Sequence, residues 1–410
     1  MKAATVEAEA LYRAPNALAP SYSRFRVAER LLLTGHSHQA WPDRGFVGQE
    51  AAWEDAALLV DEKWERAFAR AARVRAGFAR LLGDRDGSLA LAGNTHELLV
   101  RFLSALPLHE GAGRRRRPRI VTTDAEFHSA RRQLDRLAEE GIELVRVAAS
   151  PAGTAGERLA RAVDDRTAAV VTSTVFFTDA GIAGGLPELA AACARHGAEL
   201  LLDAYHQLNV VPFSFAGLEG AFVVGGGYKY CQLGEGNAFL RVPPDCRLRP
   251  AVTGWYAEFE RLEAAPLRDV AYPDDPGARF QGATYDPTSH YRASEVFDFF
   301  VERGLEPALL REVSQHQLAV LAAAFDALDL PPATIDRDRA TPLDRFGGFL
   351  ALRAPRAGEI CAALRDEGVL ADSRGEVLRL GPAPYLTDAQ LEDAMARLGE
   401  VAQRRKRTPR

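Results

Sequence analysis

Short, wholly apolar runs that break abruptly into polar residues recur along this chain. The clearest are Leu200-Leu201-Leu202, followed by Asp203-Ala204-Tyr205-His206, and Val223-Val224, followed by Gly225-Gly226-Gly227-Tyr228-Lys229-Tyr230. An apolar run without alternation is the pattern of a strand buried on both faces of a parallel sheet. Further strands are predicted at Leu89–Ala92, Arg119–Thr123, Glu143–Val147 and Ala168–Val171, with helices from Thr95, through Leu137 and from Pro187 to His196. Strand alternating with helix predicts a right-handed, mostly parallel α/β sheet. Gly234 to Val242 reads as a returning strand. Residues 1 to about 30 read as an irregular arm, and Val47 to Leu82 as helix with Trp53, Trp64 and Phe68 among its larger apolar residues. Ser294 to about Leu328 also reads as helix. Gly347–Leu352, helix Ala357–Glu367 and Val377–Leu380 predict a small α+β domain at the end.

Ligands of open α/β sheets bind at the carboxyl ends of strands. Asp203 at one such end and Lys229 beyond another form a pair that pyridoxal phosphate (PLP) chemistry requires. The amine bonds to the cofactor aldehyde, and the carboxylate keeps the pyridine nitrogen protonated so that the ring can accept electrons. Either residue alone reads more simply, as a helix N-cap or a solvated lysine. The triple glycine, which lets backbone turn sharply and approach a ligand, and the flanking tyrosines favour the pair as a cofactor site. Gly93-Asn94-Thr95-His96 opens a helix and offers amides and a hydroxyl to a phosphate, although alone it would read as a cap. Phe127, just past a strand, either stacks on the ring or packs in the core. Thr172-Ser173-Thr174 follow their strand toward the same site. Leu31-Leu32-Leu33 opens into Gly35-His36-Ser37-His38, where two histidines without a third ligand nearby favour a substrate-contacting loop over a metal.

Composition narrows the class. A chain of 410 residues with 47% hydrophobic and 26% charged residues suits a soluble enzyme with a large and a smaller domain. A net charge of -5 argues against a general nucleic-acid binder. The Arg114 to Arg119 run and the Arg404 to Arg407 tail read as solvated segments. Cys193, Cys231, Cys246 and Cys361 lack paired metal spacing and suit a reducing, cytoplasmic setting. No membrane-length apolar run and no signal peptide are expected.

With these residues placed, the chain resembles kynureninase, in the class V aminotransferase-like group of fold type I PLP enzymes. Asp203-Ala204-Tyr205-His206 matches the family's Asp-x-x-His, and Gly227-Tyr228-Lys229-Tyr230 matches its Ser-Tyr-Lys-Tyr in three of four positions. Gly254-Trp255, Gly282-Ala283-Thr284 and Arg379-Leu380-Gly381-Pro382 are similar to later family segments. The resemblance implies a seven-stranded-type sheet, an arm over 1–45 joining the small domain, a large PLP-binding domain over 46–300 and a small domain over 301–410. It implies that Lys229 carries the cofactor, Asp203 pairs with its ring nitrogen, Phe127 stacks on the ring, and His206 and Thr172 lie close. Asn94, Thr95, His96 and Tyr228 would hold the phosphate, with Trp255 and Thr284 donated by the other subunit of a homodimer. Arg379 would clamp the substrate carboxylate, with His36 and Ser37 beside the substrate. Three positions depart from the family: His36 stands in its Gly-Asn-Ser loop, Ala130 replaces an acid after Phe127, and Gly227 replaces a serine. The expected activity is hydrolytic Cβ–Cγ cleavage of a γ-carbonyl amino acid, releasing alanine. Transamination, or a non-catalytic protein retaining the fold, stay open, whereas Cys361 in a helical run disfavours desulfuration.

Overall fold

The computed structural model describes residues 5–84, 87–109, 116–261 and 270–406. Seven strands form the main sheet: β1 Ser88–Ala92, β2 Arg119–Thr123, β3 Glu143–Val147, β4 Thr167–Ser173, β5 Glu199–Asp203, β6 Phe222–Gly226 and β7 Ala238–Val242. Their spatial order is β1-β7-β6-β5-β4-β2-β3. All neighbours are parallel except β7, which runs antiparallel to both β1 and β6. The run Leu200-Leu201-Leu202 is unbroken because both faces are covered. Leu200 and Leu202 pack into one core, Leu201 into the other. No helix among the described residues is long and apolar enough to cross a membrane.

A second, antiparallel sheet has the order β10-β11-β9-β8, built from β8 Asp336–Arg337, β9 Leu350–Arg353, β10 Asp372–Arg374 and β11 Val377–Leu380. Helices Pro307–Ala327, Ala357–Asp366 and Asp388–Lys406 accompany it. The early segment Leu31–Leu32 pairs in parallel with Val369–Leu370, and Thr34 bridges to Gly381. That pairing carries the His36 loop to the end of β11.

Two helical readings split. Val47–Leu82 is two helices, Arg44–Leu59 and Lys63–Leu82, parted where Val60 takes φ 55. Ser294–Leu328 is likewise Thr288–Arg303 and Pro307–Ala327, since Gly304 closes the first at φ 69 and Pro307 opens the second. Trp53 is 81% exposed rather than packed. Neither arginine segment is simply solvated. Arg117 donates to the carbonyls of Thr167, His196 and Gly197, tying a helix end to the sheet, and Arg119 pairs with Glu143 and Asp164. Arg114, Arg115 and Arg407 lie outside the described residues. Arg404 belongs to the last helix and pairs with Glu367 and Glu400.

Arg241 on β7 shows what the antiparallel strand contributes. Its buried guanidinium donates to Asp84 Oδ2 at 2.7 Å and to the carbonyls of Glu219 and Ala221, and lies 4.4 Å over the Phe215 ring. Removing the guanidinium breaks a buried ion pair and takes away the donors to two carbonyls. Arg241→Ala is expected to lower the unfolding free energy by about 3–5 kcal/mol, read as a shift in the denaturant midpoint.

Candidate active site

The strand ends converge as the buried-strand pattern requires. Ser173 on β4 pairs in register with Asp203 on β5, and Asp203 with Val224 on β6. Val171, Ser173, Leu201, Asp203 and Val224 share one face, and there they line a cavity with Thr95, Phe127, Phe177, Tyr205, His206, Tyr228 and Lys229. Lys229 is 5% exposed. Its Nζ lies 2.6 Å from His206 Nε2, 5.0 Å from the Phe127 ring centre and 4.8 Å from that of Tyr205. Burial, opposed by Asp203 and reinforced by Arg379, pulls the amine down to about 7. Burial raises the Asp203 carboxyl despite the Tyr205 N–H and Lys229. It also holds His206 well below the ordinary imidazole range, with Lys229 adding to the effect. The donor set therefore fits PLP: an amine that loses its proton near pH 7, an acid, an aromatic face and a helix N-terminus.

The triple glycine has a different reason from the one expected. None of the three takes a positive φ. A Cβ on Gly226 would come within 2.6 Å of Tyr205 Oη, one on Gly227 within 2.6 Å of Leu233, and one on Gly225 within 2.8 Å of Leu208. The protein's own side chains, Tyr205 among them on the cavity wall, occupy that space.

The other expected residues divide. Asn94 caps helix Thr95–Ala105, accepting from Glu97 N at 3.0 Å and donating to Glu97 Oε1, so its side chain is spent on the helix. Exposed His96 turns to Gln133 at 3.3 Å, outside the Lys229 cavity. Thr172 corrects to Ser173: strand alternation sends Thr172, fully buried, to the opposite face. Trp255 is 43% exposed and packs on Tyr256 and Phe259, away from Lys229. Thr284 lines a separate cavity of about 710 Å³ with Gly93, Glu97, Arg101 and Tyr285. The Lys229 cavity is only about 30 Å³, yet Lys229, Asp203 and His206 line it and not the larger space. The Ser37 hydroxyl lies 3.1 Å from Nδ1 of its neighbour His38, whose ring stacks on Tyr228 at 5.0 Å. His36 is fully buried, with its ring 4.7 Å from Phe349 and its Nε2 3.9 Å from Asp372. Arg379 donates to Phe177 O at 2.7 Å and to Asp372 Oδ2 at 2.8 Å.

Residues 313–398 match the kynureninase C-terminal domain family. The chain is similar to kynureninases. It is 26% identical to the kynureninase of Deinococcus radiodurans across 80% of this chain and 77% of that protein. Identity to a Bacillus cereus kynureninase is 25%, over 58% of this chain and 56% of the relative, so that match spans about half the relative's length. The uncharacterized aminotransferase YcbU of Bacillus subtilis is 23% identical over 83% of this chain and 86% of its own. Among solved structures, a C-DES mutant with glycine covalently linked to its PLP cofactor superposes with a TM-score of 0.79 at 15% identity, covering 93% of this chain and 98% of that one. A cysteine desulfurase from Thermococcus onnurineus gives 0.77 at 16%, covering 95% and 98%. At such identities the likeness is one of fold, that of the fold type I PLP enzymes.

The positions on either side of Phe127 bear on this similarity. Ala130 does line the cavity, but an acid stands on the other side of Phe127: buried Glu126 accepts from Thr123 Oγ1 at 2.6 Å and Ser173 Oγ at 2.7 Å. Burial raises Glu126 to about 7 against those two bonds, and Asp203 adds to the rise. Ser173 and Phe177 come from the Thr172-Ser173-Thr174 and Phe176-Phe177-Thr178-Asp179 runs after β4, which the sequence sends toward the site. Glu126 was not singled out in the sequence, and no local signal marks it.

A lysine that is neutral when folded but charged when unfolded carries a stability penalty at low pH. Below about 7 the penalty is complete, and it is relieved as pH rises toward the unfolded value of 10.5. Without added cofactor, the difference in unfolding free energy between wild type and Lys229→Met should therefore shift in favour of wild type across that window. Denaturant titrations between pH 7 and 10 measure it; parallel curves would show that Lys229 keeps its proton.

Proposed function

We propose that the protein is a PLP-dependent enzyme of kynureninase type, hydrolysing the Cβ–Cγ bond of an amino acid with a γ-carbonyl, such as kynurenine, and releasing alanine. The observation that carries this reading is the buried, half-neutralised Lys229 between Asp203 and Phe127, in a chain whose C-terminal part matches kynureninase. PLP supplies an electron sink for the bonds broken at the substrate. In this reading Lys229 holds the cofactor covalently and moves the substrate's Cα proton, and Asp203 faces its ring nitrogen. Phe127 covers the ring beside His206, and Ser173, in place of Thr172, lies at its edge. The first turn at Thr95 and His96, with Tyr228, takes the phosphate. Arg379 takes the substrate carboxylate, and His36 and Phe349 wall the side chain. The arm over 1–45, the large domain over 46–300 and the small domain over 301–410 are the division that goes with it. Four buried, free cysteines suit the cytoplasm we assign it to.

Transamination is the second reading, favoured by the 83% coverage of the aminotransferase relative and by Ala130 where kynureninases carry an acid. Desulfuration is disfavoured: Cys361 is buried in its helix, donates to Ala371 O and has its thiol raised by burial. We further infer a homodimer. Trp53, Leu58, Trp255 and Phe259 are exposed, and the two residues expected from a partner, Trp255 and Thr284, stand outside their own chain's Lys229 cavity.

The chain has four lysines, Lys2, Lys63, Lys229 and Lys406, so covalent trapping is easily read. Borohydride reduction and peptide mapping should label Lys229; a label elsewhere ends the cofactor reading. Incubation with kynurenine, 3-hydroxykynurenine and simpler γ-keto amino acids should yield alanine, whereas keto acid without alanine transfers the assignment to an aminotransferase. Asp203→Asn should cost at least ~10²-fold in turnover with the fold intact. Mixing Lys229→Ala with Thr284→Ala subunits should restore part of the activity each lacks alone. A fully active monomer would refute the shared site.

A further inference from the structure

We propose that Asp372 is an internal competitor for the carboxylate site of Arg379, released to Arg374 when a ligand carboxylate arrives. The idea rests on the reading that Arg379 receives the substrate's carboxylate. Asp372 and Arg379 are directly opposed across the antiparallel pair β10–β11, so backbone register brings their side chains together. Arg379 Nη2 donates to Asp372 Oδ2 at 2.8 Å, with only 4% and 10% of the two side chains exposed. Nη1 donates to Phe177 O, on the wall of the Lys229 cavity. Both terminal nitrogens are thus engaged, and the buried Nε has no partner among the described residues. Phe349 and Phe177 flank the guanidinium, their ring centres 5.6 Å and 6.0 Å away.

A carboxylate entering here meets a guanidinium already neutralised by the chain. If Asp372 stayed in place, two carboxylates would crowd one cation in a low-dielectric setting. The same aspartate has a second cation within reach. Arg374 Nη1 already binds its other oxygen, Oδ1, at 3.0 Å, and Arg374 is 48% exposed and so able to follow it. Oδ2 can leave Arg379 by side-chain rotation without Asp372 losing its charge partner. His36 Nε2, 3.9 Å from Asp372 Oδ2, borders the same exchange, and neither of its ring nitrogens has a hydrogen-bond partner among the described residues. Such an exchange makes carboxylate affinity a difference between two ion pairs, weakening retention of ligands held by that group alone.

The test uses PLP-loaded protein and two calorimetric probes that differ only in charge, 3-phenylpropionate and 3-phenylpropionamide. Asp372→Asn should tighten the carboxylate about tenfold and leave the amide unchanged. Arg374→Ala, on an exposed side chain and safe for folding, should weaken the carboxylate because Asp372 then has nowhere else to go. Weaker carboxylate binding in Asp372→Asn would make Asp372 a positioning residue for Arg379 and overturn the proposal. Unchanged carboxylate binding in Arg374→Ala overturns it too. Arg379→Lys separates the two ideas: if it leaves 3-phenylpropionate affinity unaltered, the assignment of Arg379 itself is wrong, and the competition falls with it.

Discussion

Taking a lysine amine out of water is the constraint around which the rest of the site is arranged. Burial disfavours the charged form; Asp203 and, less strongly, Asp372 oppose it, while Arg379 and Arg374 push the same way as burial. The amine is therefore partly neutral near pH 7, the state in which nitrogen is a nucleophile. Arginine could not serve there, because a guanidinium keeps its proton at any accessible pH. That contrast is written through the chain, in which only four of 51 basic residues are lysines.

The buried lysine imposes conditions on its neighbours. His206 sits 2.6 Å away and must be neutral to tolerate a cation there, which burial ensures. Next to Phe127 in sequence, buried Glu126 accepts from two hydroxyls, Thr123 and Ser173. Burial raises the Glu126 carboxyl to about 7 against those bonds, and nearby Asp203 adds to the rise. Burial raises Asp203 as well, opposed there by the Tyr205 N–H and Lys229.

The two sheets contribute different chemistry. The parallel strands present Ser173, Asp203 and the Gly225–Gly227 turn-off toward Lys229. The antiparallel sheet presents Asp372 and Arg379, and the early segment paired beside Val369–Leu370 brings His36 between them and Phe349. Arg379 joins the halves through its bond to Phe177 O. A ligand held by both Arg379 and Lys229 spans this seam, so relative movement of the two sheets would change its affinity.

The pattern along the chain is enough for the parallel sheet, the returning strand, the α+β succession at the end and the meeting of Asp203 and Lys229 at one cavity. These follow from period and composition: an apolar run covered on both faces, then a polar break, is a local pattern that carries its own meaning. The kynureninase-like lysine and Asp-x-x-His motifs are local in the same way. What only the tertiary structure decided were contacts between distant segments. Ser173 rather than Thr172 faces the site because register with Asp203 sets which face points in. The triple glycine yields to Tyr205, Leu208 and Leu233, two of them on the segment after β5. Glu126 sits in an unremarkable turn, and its raised carboxyl comes from burial that no neighbour in sequence reveals. Asp372 faces Arg379 across a hairpin, and His36 reaches both from more than three hundred residues away. Burial and through-space charge depend on which segments the fold packs together, and a linear pattern carries no record of that.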